Sequence, residues 1–289
     1  MKKIKYLCLL LSAVMRTACS GAPAETPSDT KNTNASVNEE TQPQEQTGSE
    51  TADTANSPQE TEGEQEGGNK EVKPIVYDID PSKPVIALTF DDGPNTTTTN
   101  QVLDLLDKYQ VRASFFLIGD NITDESAKSV KRAYDMGCEI NNHSKTHSYM
   151  DKMEAEDIIA EIQYVSDKVK EITGEPTKFF RPPYIAVNGT MYDNIDMPFI
   201  SGKGCNDWDS SVDVERRLKM MTRQMKDGVI ILLHDAQGND KTVEMLDTFI
   251  PQLLEEGYQF ATVSELFEAK GVEISGDDTN LYDFVQKAE

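Results

Sequence analysis

One ten-residue stretch, residues 85–94, constrains the fold and chemistry of this 289-residue chain more than any other. An apolar, β-prone run, Val-Ile-Ala-Leu-Thr-Phe, stops at two adjacent carboxylates, Asp91 and Asp92, and a Gly-Pro pair follows. Runs of this composition that close at Gly and Pro predict a buried strand. Two carboxylates at its tip have a fixed spacing, which suits one metal ligand and one base. Asp-Asp-Gly alone favours an ordinary Asp-rich turn. A functional interpretation therefore depends on which other side chains reach the same place in the fold.

Strand-like runs and helical patterns alternate from residue 75 to residue 270, a length sufficient for one domain with its own core. Helices are predicted at 98–109, 123–136, 154–172, 212–226, 242–256 and 263–269. Further strands are predicted at 113–118, 138–142, 178–180, 199–201, 229–233 and 259–263. This alternation predicts parallel strands, either in a barrel or in an open sheet.

The first 19 residues are expected to be an export signal of the lipoprotein type. Lys2, Lys3 and Lys5 give a positive n-region, and an apolar stretch then leads to small residues around Cys19. This segment resembles a bacterial lipobox, in which the cysteine is lipidated. Arg16 stands where that motif usually has Leu, so lipidation at Cys19 stays open. The expected location is the cell surface through this anchor, or otherwise the medium.

Residues 20–74 are predicted to be a disordered acidic linker, because their Thr, Glu, Gln, Ser and Pro content offers little apolar surface to bury. Residues 1–20 carry a charge of +4 and residues 21–71 carry −10, so −17 of the total of −23 remains in residues 72–289. A region this acidic should repel nucleic acid and anionic membrane. The charge favours a neutral or cationic partner over nucleic acid, although a polar polymer with few charges would also be tolerated. Membrane contact is expected only through Cys19, and the chain is expected to be a monomer.

Only two cysteines, Cys138 and Cys205, would stay unmodified in a mature chain cleaved before Cys19. Two cysteines do not make a disulfide framework. One bridge between them and two buried free thiols are both open, and the sequence favours the free thiols. The last segment, residues 271–289, is expected to be a polar C-terminal tail.

Ionisable or hydrogen-bonding side chains follow five of the predicted strands. The five sets are Asp91-Asp92, the run 141–147 (Asn-Asn-His-Ser-Lys-Thr-His), the run 181–184 (Arg-Pro-Pro-Tyr), the run 206–208 (Asn-Asp-Trp) and His234-Asp235. In parallel α/β proteins the chemistry lies at the carboxyl ends of strands. All three histidines of the chain, His143, His147 and His234, fall in these sets. Two histidines four residues apart, joined by a carboxylate from elsewhere, make the open three-ligand site that catalytic zinc prefers.

The motifs Thr-Phe-Asp-Asp-Gly, His-Ser-Lys-Thr-His, Arg-Pro-Pro-Tyr, Asp-Trp and Leu-Leu-His together resemble the polysaccharide deacetylases of carbohydrate esterase family four, the NodB-homology domain. The resemblance covers about residues 84–268 and keeps the order of the motifs. It implies an α/β fold, a distorted, incomplete (β/α) barrel, over the catalytic domain at 75–270. It also implies metal-dependent removal of N- or O-acetyl groups from glycans.

The resemblance assigns the metal and the acid–base chemistry to five residues. Asp92, His143 and His147 would bind a divalent metal, usually zinc. Asp91 would be the general base toward a metal-activated water, and His234 the general acid toward the leaving group. These roles agree with the chemistry of amide hydrolysis, which needs a base for the water and a separate acid for the poor amine leaving group.

Five further positions carry supporting roles by the same resemblance. Arg181 would hold the base in its charged form, and Asp207 would support either the acid or the arginine. The backbone N–H of Tyr184 would help bind the oxyanion. Trp208 and Leu232 would wall the acetyl group, although packing of Trp208 in the core is an open alternative.

Two departures from the family pattern affect these expectations. Ile185 stands where many members have Gly, and a β-branched residue there could narrow the groove. The segment before Asp207 lacks an extra Asp that is often present in the fourth motif, which weakens the assignment of Asp207.

The sequence thus predicts an exported hydrolase that removes N-acetyl groups from an N-acetylglucosamine-containing polymer, with peptidoglycan or a chitin-like glycan as substrate. Two alternatives stay open. One is an O-acetyl esterase that acts on xylan or another glycan, and the other is a glycan-binding surface lipoprotein without turnover. Intact Asp91 and His234 argue against the second alternative.

Overall fold

A computed structural model describes residues 72–286 of the chain. The predicted signal segment, Cys19 and all but the last three residues of the predicted linker lie outside this range. Ile75 is the first buried residue of this range, and its backbone N–H donates to the carbonyl of Met136. Within residues 72–286, no helix is both long enough and apolar enough to cross a membrane.

The helices and strands alternate along the described part of the chain. The helices are α1 Thr98–Tyr109, α2 Ala127–Asp135, α3 Ala155–Thr173, α4 Gly189–Asn194, α5 Val214–Thr222, α6 Asp240–Glu255 and α7 Val263–Lys270. The strands are β1 Val85–Asp91, β2 Ser114–Leu117, β3 Glu139–Asn142, β4 Phe199–Ile200, β5 Ile230–His234, β6 Gln259–Ala261 and β7 Leu281–Tyr282. All six predicted helices are present, each within a few residues of its predicted bounds.

Strand β1 is the centre of the main sheet. Every one of its seven residues is buried, as expected for an apolar strand covered on both faces. The sheet order is β3-β2-β1-β5, β6 pairs with the first half of β1, and all these pairings are parallel. In the β1–β5 ladder Asp91 lies directly opposite His234. The carboxyl ends of both strands therefore meet at one edge.

The sheet curves into a distorted, incomplete barrel. Beyond β3, isolated parallel bridges join Asn142 to Phe180 and Phe180 to Phe199, and another joins Lys203 to Ile231 of β5. These single bridges follow the strands around the ring without making a continuous ladder. The predicted α/β class with parallel strands is confirmed, and the predicted strand at 178–180 is reduced to the two bridges of Phe180.

Helix α3 illustrates how the sequence determines an element. Its apolar residues Ile158, Val165 and Val169 recur at helical spacing and are all buried. Gly174 ends the helix with a φ of 87°, a left-handed conformation that glycine adopts without steric cost. The inward face of α3 also carries a carboxylate, Glu161, which is only 9% exposed.

The C-terminal segment differs from the expectation of a polar tail over residues 271–289. Residues Leu281–Tyr282 form β7, which pairs in parallel with β4, and Val285 is only 2% exposed. A two-residue strand has no periodicity that a sequence can reveal, which explains why it was not predicted. Cys138 and Cys205 are free and buried, and burial raises the pKa of each thiol to about 12. The favoured alternative of two free thiols is therefore confirmed.

Candidate active site and metal centre

A cavity of about 540 Å³ opens at the carboxyl ends of the strands. Nine of the ten residues singled out from the sequence line it, although they come from five separate segments of the chain. The tenth, Arg181, is fully buried directly behind the cavity wall. The structure therefore brings the whole predicted set together.

Three side chains in this cavity form a group that could hold a metal ion. The ligand atoms of Asp92, His143 and His147 all lie within 4.8 Å of one another. The Nε2 atoms of His143 and His147 are 3.6 and 3.5 Å from Asp92 Oδ1. That oxygen is buried and has no hydrogen-bond partner within residues 72–286. A divalent cation fits this donor set, because it would satisfy an otherwise unpaired carboxylate oxygen.

The tautomer of His143 also suits a metal ligand. Its Nδ1 lies 2.7 Å from the backbone carbonyl of Arg181, which can only accept a hydrogen bond. Nδ1 therefore carries the proton, and Nε2 presents its lone pair toward Asp92. A backbone contact of this kind fixes both the proton position and the orientation of the ring.

A short loop, residues 143–147, carries both histidines. His143 follows the end of β3 and donates its backbone N–H to Leu117 of β2. Ser144 and His147 adopt left-handed backbone conformations, with φ of 67° and 57°. The backbone N–H of Ser144 donates to Asn142 Oδ1, and the N–H of His147 donates to Ser144 Oγ. These short-range bonds turn the chain so that both imidazoles face Asp92.

Asp91 is a buried carboxylate paired with a buried arginine. Its Oδ1 accepts a hydrogen bond from Arg181 at 2.6 Å, and the guanidinium also donates to the carbonyl of Ser201 and lies over the ring of Phe116. Burial alone would raise the pKa of Asp91, but the charge of Arg181, with a smaller effect of His143, holds it below its usual value. Asp91 is therefore ionised at neutral pH and can accept a proton.

His234 has the opposite environment, because it is paired with a carboxylate. Its Nδ1 is 2.9 Å from Asp207 Oδ1, and its backbone N–H donates to Asp207 Oδ2. Burial would lower the pKa of His234, yet the hydrogen bond and charge of Asp207 outweigh it and raise the pKa to about 9. Asp207 itself accepts a hydrogen bond from Thr242. Of the two expected roles for Asp207, the structure places it beside His234 and not beside Arg181, which pairs with Asp91.

Exposed apolar side chains form the rim of the cavity. Trp208 is 68% exposed, which excludes the alternative that it packs in the core. Tyr184 is 53% exposed, stacks on Tyr149 with ring centroids 3.9 Å apart, and meets His147 edge-on. Ile185, which departs from the family pattern, lines the cavity beside Tyr184. Flat apolar surfaces at an open cleft suit the faces of sugar rings.

Backbone strain is concentrated around this cavity. Seven residues other than glycine have a positive φ within the described range, and six of them belong to the cavity or to the loop that carries its histidines. The six are Asp92, Ser144, His147, Tyr184, Ile185 and Asn206. Such conformations cost about 1–3 kcal/mol each and cluster at functional sites. This strain could not be predicted from the sequence, because Tyr and Ile are unusual residues for left-handed backbone.

Asp235 is a buried carboxylate for which the sequence suggested no role. Its side chain fills the space where a Cβ on Gly93 would lie, with Oδ2 2.6 Å from that position. Thr99 donates a hydrogen bond to it, and burial raises the pKa of Asp235 to about 7. The close approach explains why glycine follows Asp92. In the sequence, the only indication of a role for Asp235 is its position directly after His234.

Comparisons with known proteins agree with this geometry. Residues 78–196 match the family model described as polysaccharide deacetylase. A bifunctional xylanase/deacetylase of Pseudobutyrivibrio xylanivorans is 54% identical over 188 residues, which are 65% of this chain and 31% of that protein. A peptidoglycan-N-acetylglucosamine deacetylase of Bacillus cereus is 34% identical over 212 residues, 70% of this chain and 98% of that protein.

A solved structure is similar over the same region. The family 4 acetyl xylan esterase of Clostridium thermocellum, in complex with a cobalt ion, has a TM-score of 0.68 at 40% identity. The match covers 70% of this chain and 98% of that one. By contrast, this chain spans only 31–40% of the length of several curated relatives that it matches.

Proposed function

Because this chain belongs to the polysaccharide deacetylase family, we propose that it is a metal-dependent hydrolase that removes acetyl groups from a glycan. One observation carries the proposal. The candidate metal-binding group shares its cavity with an arginine-paired carboxylate and an aspartate-paired histidine. Two titratable groups with pKa values pushed in opposite directions are the signature of an acid–base pair.

Asp92, His143 and His147 would hold the metal, and zinc is our first candidate. Two imidazole nitrogens and one carboxylate oxygen are a common catalytic zinc set, and they leave positions open. When bound, a divalent ion would act as a Lewis acid toward the acetyl carbonyl and lower the pKa of a bound water. The cobalt ion in the similar acetyl xylan esterase supports a divalent metal without identifying it.

Asp91 would act as the base through one of its two oxygens. Oδ1 is held by Arg181, whereas Oδ2 lies 3.8 Å from His143 Nε2 and therefore faces the candidate metal group. A proton taken from the attacking water would go to Oδ2. The pairing with Arg181 keeps Asp91 in place while its free oxygen reacts.

His234 would act as the acid. Its Nδ1 is occupied by Asp207, so Nε2 carries the proton that a leaving amine or alkoxide needs. The N–H of Tyr184 has no acceptor within residues 72–286, and it is therefore free to bind the developing oxyanion. Leu232 and Trp208 line the same cavity and would enclose the acetyl methyl group.

The substrate that we propose first is an N-acetylglucosamine-containing polymer, either peptidoglycan or a chitin-like glycan. The similarity to peptidoglycan-N-acetylglucosamine deacetylases supports it. A second candidate is O-acetylated xylan, which is favoured by the 54% identity to a bifunctional xylanase/deacetylase and by the similar acetyl xylan esterase. Both substrates require the same metal, base and acid.

We also propose that the protein is exported and tethered by a lipid at Cys19, and that it is monomeric. The positive n-region, the apolar run and the small residues around Cys19 support export. Mass spectrometry of the N-terminal peptide from the membrane fraction would test the tether, because a diacylglycerol on Cys19 adds a defined mass. An unmodified, secreted chain would refute it.

Acetate release by the full chain tests the activity. The substrates are chitooligosaccharides, peptidoglycan and acetylated xylan, each assayed with added zinc, with chelator, and with the variant Asp91→Asn. We expect release that chelation abolishes and that Asp91→Asn lowers by about 10²–10⁴-fold. Asp193→Asn, an exposed aspartate on α4, is the matched control and should keep wild-type activity.

The pattern across substrates separates the candidates. Release from an N-acetyl glycan supports the first substrate, and release from xylan alone supports the esterase. A folded, metal-loaded protein that binds these glycans but releases no acetate would contradict the enzyme proposal and support a glycan-binding role.

A further inference from the structure

Glu161 is a buried carboxylate outside the cavity. It lies on the inward face of α3, between the buried residues Ile158 and Val165, and is 9% exposed. A buried charge is unfavourable unless its oxygens accept hydrogen bonds. Its partners within residues 72–286 all belong to one residue, Thr146.

The contact with Thr146 uses both carboxylate oxygens. The backbone N–H of Thr146 donates to Oε2 at 2.8 Å, and its Oγ1 lies 3.1 Å from both Oε1 and Oε2. An ionised carboxylate is purely an acceptor, so it can serve both donors together. A glutamine at position 161 has one neutral acceptor oxygen in place of two charged ones, so its hydrogen bonds to the backbone N–H and hydroxyl of Thr146 are weaker.

Thr146 is part of the 143–147 loop and directly precedes His147. The loop is strained at Ser144 and His147, so bonds from outside must hold it. His147 needs this support more than His143 does, because its side chain is 25% exposed and that of His143 only 3%. Within residues 72–286, Glu161 of α3 is the only carboxylate on a helix that accepts hydrogen bonds from this loop.

We propose that Glu161 is a positioning residue that holds the 143–147 loop, and with it His147, in the geometry needed to bind the metal. The inference rests on the proposed metal site. Glu161 acts only through Thr146 and contacts neither the candidate ligands nor the cavity. Loss of a residue that orients a ligand typically weakens metal binding by about 10–100-fold. We therefore expect Glu161→Gln to raise the Kd for Zn²⁺ and Co²⁺ by about that factor.

Metal titration of the full chain tests the proposal. Metal-free wild type, Glu161→Gln and Glu156→Gln are titrated with Zn²⁺ and Co²⁺ against a competing chelator. Glu156 is an exposed glutamate on the same helix, so Glu156→Gln makes the same chemical change without the contact and should leave the Kd unchanged. At saturating metal, Glu161→Gln should regain a kcat near that of wild type, because the residue does not touch the substrate. A Kd equal to that of wild type in folded Glu161→Gln would overturn the proposal.

Hydrogen exchange at the Thr146 amide provides a readout that needs no metal. In the metal-free protein this amide should exchange faster in Glu161→Gln than in wild type or Glu156→Gln. Unchanged exchange would overturn the proposal, even if wild type bound no metal. If wild type bound no metal, the proposed function would fail on that result alone. The two failures are therefore distinguishable.

A second variant covers the case in which Glu161→Gln does not fold. Thr146→Val keeps the carboxylate and the backbone N–H and removes only the hydroxyl, which contacts Glu161 and also Ser148 Oγ, at 2.9 Å. Ser148→Ala removes the second of these contacts alone and is the control. Loss of one hydrogen bond corresponds to about two- to tenfold weaker metal binding. An unchanged Kd in folded Thr146→Val would then count against the proposal.

Discussion

Asp91 has two carboxylate oxygens with different surroundings. Arg181 holds Oδ1, and Oδ2 faces the candidate metal group. Both side chains are almost completely buried, so neither charge would be tolerated without the other. The pairing with Arg181 therefore keeps the Asp91 carboxylate charged in the cavity wall, although burial alone would raise its pKa.

Removal of Arg181 should leave Asp91 buried without its partner. We expect Arg181→Met to raise the pKa of Asp91, because burial then dominates, and to lower the free energy of unfolding by about 3–5 kcal/mol. Urea unfolding at pH 7 measures the loss. The double variant Asp91→Asn/Arg181→Met should recover part of the lost stability, because it no longer buries an unpaired carboxylate. A double variant less stable than Arg181→Met would contradict this account.

The pKa of His234 should depend on Asp207. In the metal-free protein we expect a pKa of about 9, and a lower pKa in Asp207→Asn, because burial is then opposed only by the charges of Asp91 and Asp92. The pKa of His234 is higher in the folded than in the unfolded protein, so the His234–Asp207 pair contributes its full stabilisation below about pH 6.5. That contribution is lost as the pH rises through about 9.

NMR titration of the imidazole signals measures this pKa directly. The chain has only three histidines, so assignment is simple. Unfolding by urea at pH 6, 8 and 10 measures the linked stability. A wild-type pKa at or below 6.5 would contradict the assigned partner.

At the scale of elements, the turn that carries Tyr184 and Ile185 combines strain with exposure. Both residues have a positive φ, 59° and 56°, and Ile is β-branched. The left-handed conformation costs an ordinary residue about 1–2 kcal/mol. Packing of Tyr184 on Tyr149 and His147 holds the turn in place.

Ile185→Gly should relieve this strain. The side chain is 36% exposed, so little buried surface is lost, and we expect the free energy of unfolding to rise by about 1 kcal/mol. Ile159→Gly on α3, where the side chain is 47% exposed, should instead destabilise by about 1 kcal/mol. Thermal unfolding compares the two variants. Destabilisation by Ile185→Gly would mean that packing, and not strain, dominates at this position.

The long elements could be predicted from sequence because they carry strong local signals. The buried run of β1 and the apolar stripe of α3 each repeat a simple pattern over many residues. The short elements α4 and β7 have six and two residues, too few for any period to emerge. The strand predicted at 178–180 is reduced to one residue, Phe180, which makes isolated bridges to Asn142 and to Phe199.

At the scale of the whole molecule, the C-terminal segment is part of the domain. Val285 is 2% exposed and packs in a cluster with residues of β1 and α7. We expect Val285→Ala to lower the free energy of unfolding by about 1–3 kcal/mol. Val76→Ala, at a position that is 79% exposed, should change it by less than about 0.5 kcal/mol. Equal effects of the two variants in urea unfolding would show that the segment does not contribute to the core.

The membership of the site was predictable, but its supports were not. Strand ends and histidine spacing indicated the candidate metal-binding group, and the family resemblance assigned Arg181, Tyr184 and Leu232. The roles of Glu161 and Asp235 depend on contacts with distant segments, which no local pattern encodes. The choice between Arg181 and His234 as the partner of Asp207 likewise required the folded arrangement.

The pairing of Asp91 with His234 across the β1–β5 ladder has an evolutionary consequence. Backbone hydrogen bonds set the spacing between these two residues, and a slip by one residue would turn side chains to the other face. Ile185 and Trp208 lie outside this ladder. Under the proposed roles of Asp91 and His234 as base and acid, mutations at the rim can therefore change which glycan binds without changing the geometry of proton transfer.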